Sequence, residues 1–328
     1  MEHGRMVALV MIALLARRVV TLVPTLLAAS LLMFLVLSMG PSPLAQLREF
    51  SQLQPEDLAK LAHRYGWDQP IWRQYLSWLG NLMQGDWGRS VRTLQPAGHM
   101  ILERLPLTLT IASLALVLSV GIGLPLGAFV ALRAYSRVDY VTTLLTLMLM
   151  AMPGFFLALL LQIMAVELRS MTGGVVFYTS GIPDEGGLIQ WIQRLTLPVL
   201  VLAGSHVAIW VRYQRGELLG VLGQDYIKCA RAKGLPERIV FLRHAVRNAV
   251  LPIITLIAID LGKIVAGSVI VESVFGLPGI GTLLLDSVNG HDTVVVLDIL
   301  MLTALIMVAA NTLADLAYGA LDPRTTVA

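Results

Sequence analysis

Cysteine is almost absent from this chain. The single Cys229 excludes an internal disulfide, and no CxxC or Cys/His spacing suggests a zinc site. Charge is scarce as well: Lys, Arg, Asp and Glu make up 14% of the 328 residues. A soluble domain would carry about a quarter. The marks of a membrane-embedded enzyme are missing, with no H-E-x-x-H, no G-x-S-x-G and no catalytic or metal cluster in the pattern. No G-x-x-x-x-G-K-[ST] occurs, so the chain lacks a phosphate-binding loop of its own. Neither the short alternating strands of an outer-membrane barrel nor the internal repeat common in secondary transporters is visible.

What the chain does have is apolar runs. It is 56% hydrophobic, and its mean hydropathy is +0.76. Six segments, 17–39, 106–132, 140–166, 195–213, 250–274 and 295–319, are long and apolar enough to cross a bilayer. Pro24, Pro125, Pro153, Pro198 and Pro252 lie within or at the ends of these runs, where neighbouring helices can satisfy the carbonyls that proline frees. The first run follows Arg17 and Arg18, exceeds a usual signal-peptide core and precedes no A-x-A-like site. It reads as an uncleaved span. The pattern predicts an all-α polytopic membrane protein with six transmembrane helices.

Orientation follows from Lys and Arg in the short connections. One side collects Arg5, Arg17, Arg18, Arg133, Arg137, eight basic residues between Arg212 and Arg247, and Arg324. The other has Arg169 and Arg194 in its short loops and none from 276 to 294. Both termini are therefore expected in the cytoplasm. The chain divides into an N-terminus with its first span (1–39), an extracytoplasmic helical segment (40–104), a five-span core (105–320) containing a cytoplasmic loop (214–249), and a short tail (321–328). Pro55 and Pro70 mark two helix starts in the outer segment, and Ile71, Tyr75, Trp78, Leu79 and Leu82 form an apolar stripe at helical spacing. This segment reads either as an amphipathic cap on the bundle or as a docking face for an extracytoplasmic partner.

The cytoplasmic loop reads "DYIKCARAKGLPERIVFLRHAVRNAVLP". Residues 224–233 predict a short helix ended by Gly234 in a left-handed conformation, and Pro236 with Glu237 suits the start of a second. A basic helix of this kind can lie on anionic lipid or insert into a cytoplasmic partner.

"DYIKCARAKGL" followed by "HAVRNAVLP" resembles the cytoplasmic loop of ABC-importer permeases of the dipeptide/oligopeptide/nickel branch. "LARRVVTLVPTLLAASLLMFLVL", "YGWDQPIWRQYLSWLGNLMQGDWGRS", "GLPLGAFVAL", "ESVFGLPGIGTLL" and "LADLAYGALDPR" are similar to further segments of that family, in the same order. The resemblance implies that the loop contains a coupling helix, with Asp225, Tyr226, Lys228, Cys229, Ala230, Arg231, Ala232, Lys233, Gly234 and Leu235 against a separate ATPase. It also implies a second homologous permease, two ATP-binding subunits that hold ATP and Mg, an extracytoplasmic binding protein and a prokaryotic cell membrane. This chain would bind no cofactor, metal or nucleic acid and catalyse nothing. Peptides are the expected cargo, with nickel chelates or glutathione-type peptides as alternatives on the same architecture. At the family's Glu-Ala-Ala positions stand Lys228, Cys229 and Ala230, which resembles the peptide branch.

The fifth span carries Asp260 and Lys263 where the family often has uncharged residues. Charges at that depth face protein or water and usually pair, and at i,i+3 these two could satisfy each other. With His206 and Gln162 in the fourth and third spans, they are the candidates for lining the translocation path. Each also has a packing alternative. Glu272, near the outer end of its span, matches a family position and reads as structural.

Overall fold

A computed structural model describes residues 20, 22–40, 54–181 and 187–321 of the chain. Arg5, Arg17, Arg18 and Arg324, counted above for orientation, lie outside the described residues. No strand occurs among the described residues, and the only extended pairing there is an isolated bridge between Arg89 and Pro96. The helices are α1 (Leu22–Ser38), α2 (Pro55–Tyr65), α3 (Ile71–Met83), α4 (Ala97–Ala131), α5 (Arg137–Ala151) and α6 (Gly154–Thr172). They continue as α7 (Leu188–Leu222), α8 (Asp225–Ala232), α9 (Glu237–Ile239), α10 (Arg247–Val274), α11 (Ile280–Asn289) and α12 (Thr293–Leu321). Four of these helices (α4, α6, α7 and α12) are long and apolar enough to cross a membrane, and α1 is a shorter apolar helix. The chain is a polytopic helical membrane protein.

Two of the expected elements take a different form. The apolar run 140–166 is not one helix: Met152 is extended and Pro153 separates α5 from α6, because proline disfavours the helical conformation in the residue before it. The second helix of the basic loop is not separate from the helix that carries the apolar run 250–274. From Glu237 it runs through a π-helical stretch (Val240–Val246) straight into α10. In the segment 54–96 Pro55 begins α2 as expected, whereas Pro70 caps α3 and Ile71 is its first residue.

The bundle is organised around α4, α7 and α10. Ala112, Ala115, Ser119, Gly123, Gly127 and Ala131 form one buried stripe along α4, spaced by three or four residues. Gly123 lies against Trp210, and Gly127 lies so close to α7 that an added Cβ would stand 2.6 Å from the Val211 carbonyl oxygen. Small residues at i and i+4 let the backbones approach, the contact that van der Waals packing favours where water cannot drive association. At about 1.5 Å per residue the 35-residue α7 is ~52 Å long, against ~30 Å of hydrocarbon. Its Arg212–Leu222 end therefore extends beyond the apolar layer and carries the basic loop.

At the other end, α3 lies across α1. Tyr75 stacks edge-on to Phe34 at 5.5 Å, its hydroxyl is 2.9 Å from Ser30 Oγ, and Trp78 Nε1 donates to buried Asp298 at 3.1 Å. Tyr75, Trp78, Leu79 and Leu82 are half-buried, so most of the apolar stripe faces the bundle.

Candidate functional site

The basic knob is a short helix held by its apolar side. Gln224 is extended, Asp225 opens α8 and pairs with Lys228 one turn on at 2.8 Å, and Gly234 takes φ +75° just beyond the helix. Only glycine reaches that conformation without strain. Across the bend, Arg231 reaches Glu237 with two N–H groups, at 2.8 and 3.3 Å. Asn248 Nδ2 donates to the Tyr226 hydroxyl at 3.2 Å.

Ile227 (0% exposed) and Ala230 (7%) turn inward. They join Leu218 of α7, Ala131 of α4, and Val240, Ala245 and Ala249 in one buried cluster. Asp225, Tyr226, Lys228, Cys229, Arg231, Ala232, Lys233, Gly234 and Leu235 are exposed. Ala230, expected on the partner-facing side, instead positions the helix on its own bundle. The outward face is rich in cations and carries the lone thiol.

A second feature at this end had no counterpart in the sequence reading. Arg215, near the far end of α7, grips Asp139 of α5 through Nε and Nη2, both at 2.7 Å. Asp139 is buried and also accepts the Tyr135 N–H at 2.8 Å, which holds Tyr135 at φ +63°. The Arg215 guanidinium keeps the Asp139 carboxyl below its ordinary value of 3.8, with the Tyr135 N–H adding to the effect. The Ser136-x-x-Asp139 cap was visible in the sequence, but its partner 76 residues away was not.

Within the bundle, the four candidate path residues do not form one site. Asp260 of α10 is buried, and its Oδ2 accepts from Nδ1 of His206 on α7 at 2.7 Å. The expected Asp260–Lys263 pairing is thus replaced by a bond between helices. Lys263 stands on the exposed side of α10. Gln162 donates to the backbone carbonyls of Thr179 at 2.7 Å and Val274 at 3.1 Å, tying the following loop to the end of α10. It acts as a packing residue here.

Glu272 is fully buried. It accepts from Thr108 Oγ1 at 2.7 Å, Ser268 Oγ at 3.0 Å and the backbone N–H groups of Gly281 at 2.7 Å and Thr282 at 3.3 Å. A carboxylate at a helix start satisfies donors that the first turn leaves open, so Glu272 fixes α11 to the C-terminal end of α10. Added Cβ atoms would meet the Glu272 carboxylate at 2.2 Å from Gly279 and the Val269 Cα at 2.4 Å from Gly281. The "GLPGIG" segment is therefore built around that side chain. Asp292 does similar work nearby, accepting from the Ser90 hydroxyl and from Val91 N–H at 3.1 Å.

A family model described as binding-protein-dependent transport system inner membrane component matches residues 123–327. The chain belongs to this permease family. A second model, for the N-terminal membrane component of such systems, matches residues 11–112 of the permease. The permease is 36% identical over 317 residues to the oligopeptide transport system permease protein AppB of Bacillus subtilis, covering 96% of this chain and 99% of that protein. It is 32% identical to the di/tripeptide transport system permease protein DppB of Pseudomonas aeruginosa and, equally, to the dipeptide transport system permease protein DppB of Escherichia coli. Each covers 96% of this chain and 98% of the relative.

Proposed function

We propose that this permease is one half of the translocation pore of an ATP-driven peptide importer in a prokaryotic inner membrane. Its six spans are α1, α4, the run 140–166 across α5 and α6, α7, α10 and α12. Both termini lie in the cytoplasm, and residues 40–104 lie outside. A second homologous permease completes the pore, an extracytoplasmic binding protein delivers the peptide, and two separate ATP-binding subunits hold ATP and Mg and perform hydrolysis. Peptide cargo is supported by relatives that serve oligopeptide, di/tripeptide and dipeptide transport systems and align with 96% of this chain.

The observation that carries the coupling role is the two-sidedness of α8. Its apolar side is buried in its own bundle, so a push on its basic side moves α7 and α10 with it. A helix merely resting on lipid would turn its apolar side to the membrane, whereas Ile227 and Ala230 are already occupied. Residues 224–235 act as the knob seated in the ATPase. When ATP binding draws two ATPase subunits together, the knobs follow, and rocking of the two permease halves shifts the opening from outside to inside. The Asp139–Arg215 fork transmits the same displacement to α5. Among Asp260, Lys263, His206 and Gln162, Lys263 is the one whose side chain is left for the path.

Purifying the tagged chain in a detergent that preserves complexes tests this. Recovery of an ATPase, a second permease and a binding protein, with ATP-dependent peptide uptake after reconstitution, is the expected result. Peptide uptake by the chain alone would overturn it.

A further inference from the structure

Lys263 lies 13 residues beyond Val250 and 11 before Val274 in the apolar run 250–274, roughly 20 and 16 Å from its ends at 1.5 Å per residue. Both distances exceed what a lysine side chain spans, so the ammonium cannot snorkel to either headgroup layer. A charge at that depth requires water or protein beside it. Asp260, the acid one turn away, is turned into the bundle and bonded to His206. The face on which Lys263 stands continues outward as Ala266, Gly267, Ile270 and Ser273, all exposed, while Ile264, Val265, Ser268, Val271 and Glu272 face inward. At Gly267, one turn above the lysine, an added Cβ would meet nothing within 4 Å. The surface beside Lys263 is therefore open and carries one cation that has no acidic partner among the described residues.

We infer that Lys263 receives the C-terminal carboxylate of the peptide as it passes along this face of α10. The inference rests on the importer reading above and assigns the cargo chemistry within it. Peptides of varied sequence share only a backbone and two charged ends, so a path that tolerates any side chain can read only those. The small residues of the stripe leave room for variable side chains. Because Asp260 is held by His206, this face has a cation for the carboxylate and, among the described residues, no free acid for the ammonium end.

The test uses the complete reconstituted importer in proteoliposomes, with a dipeptide and its C-terminal amide as cargo. Lys263→Met should lower uptake of the free acid about tenfold, the scale of one lost charge-assisted hydrogen bond, and lower amide uptake by much less. Lys263→Cys should be similarly impaired. It should recover after treatment with 2-aminoethyl methanethiosulfonate, which restores an ammonium, and not with the neutral methyl reagent. Wild-type importer treated in parallel reports any effect at Cys229. Unchanged free-acid uptake in Lys263→Met, equal losses for acid and amide, or failure of the ammonium to rescue would each overturn the inference. Loss of the second permease from purified Lys263→Met would overturn it too, by assigning the lysine to a subunit contact. Absence of peptide uptake by the wild-type importer would instead sink the importer reading itself.

Discussion

Ile227→Ala tests whether the basic knob moves as part of the bundle. Ile227 is fully buried among Leu218, Val240 and Ala245. Truncation removes three carbons, about 2.4 kcal/mol at ~0.8 kcal/mol each, and the residual cavity brings the cost to about 3–4 kcal/mol. The other tethers are weaker. Ala230 buries little, and the Arg231–Glu237 and Asn248–Tyr226 contacts are exposed, each contributing at most about 1 kcal/mol. A loss of 3 kcal/mol changes the docked-to-undocked ratio of α8 about 150-fold. We expect faster hydrogen exchange across residues 225–235 and fewer peptides moved per ATP hydrolysed, with the bundle still assembled. Cys229→Trp, on the exposed side, should leave exchange in that segment unaltered. If Ile227→Ala left both the exchange and the transport-to-hydrolysis ratio unchanged, Ile227 would not anchor the knob and the rigid-body account would fail.

Three further outcomes follow from the packing. Gly127→Ala places a Cβ 2.6 Å from the Val211 carbonyl oxygen, a backbone atom that cannot move alone. It should cost about 1–3 kcal/mol, read as a lower thermal midpoint in detergent. Gly281→Ala should destabilise by a similar amount, because the clash is with the Val269 backbone beside the buried Glu272, and limited proteolysis should find α11 released first. Asp139→Asn weakens the grip of Arg215, at about 1–2 kcal/mol after allowing for the partial exposure of the arginine. The Asp139 carboxyl titrates below its ordinary value in the folded chain. Its contribution is therefore complete above about pH 5 and is lost as the pH falls further, through the folded-state value. Thermal midpoints of wild type and Asp139→Asn should differ by a constant amount from pH 5 to 8, taken as a range of roughly neutral conditions, and converge in stronger acid. A gap that opened or closed within that range would refute the assignment.

The sequence by itself determined the helical membrane class, the places where chain direction changes and the position of the basic knob. These depend on local properties: an apolar run long enough to span hydrocarbon and a glycine that reaches φ +75° at Gly234. Only the tertiary structure decided which polar groups meet. Asp260 and Lys263 looked like partners because they are three residues apart. Three residues turn a helix about 60° short of a full circle, and the boundary between the buried and exposed faces of α10 falls between them. The bond went to His206, 54 positions away, just as Asp139 met Arg215 across 76 residues and Trp78 met Asp298 across 220. Spacing along the chain sets the direction a side chain takes from its own helix. Which neighbour stands in that direction depends on how the helices pack, and close approaches such as Gly127 on α7 set that packing.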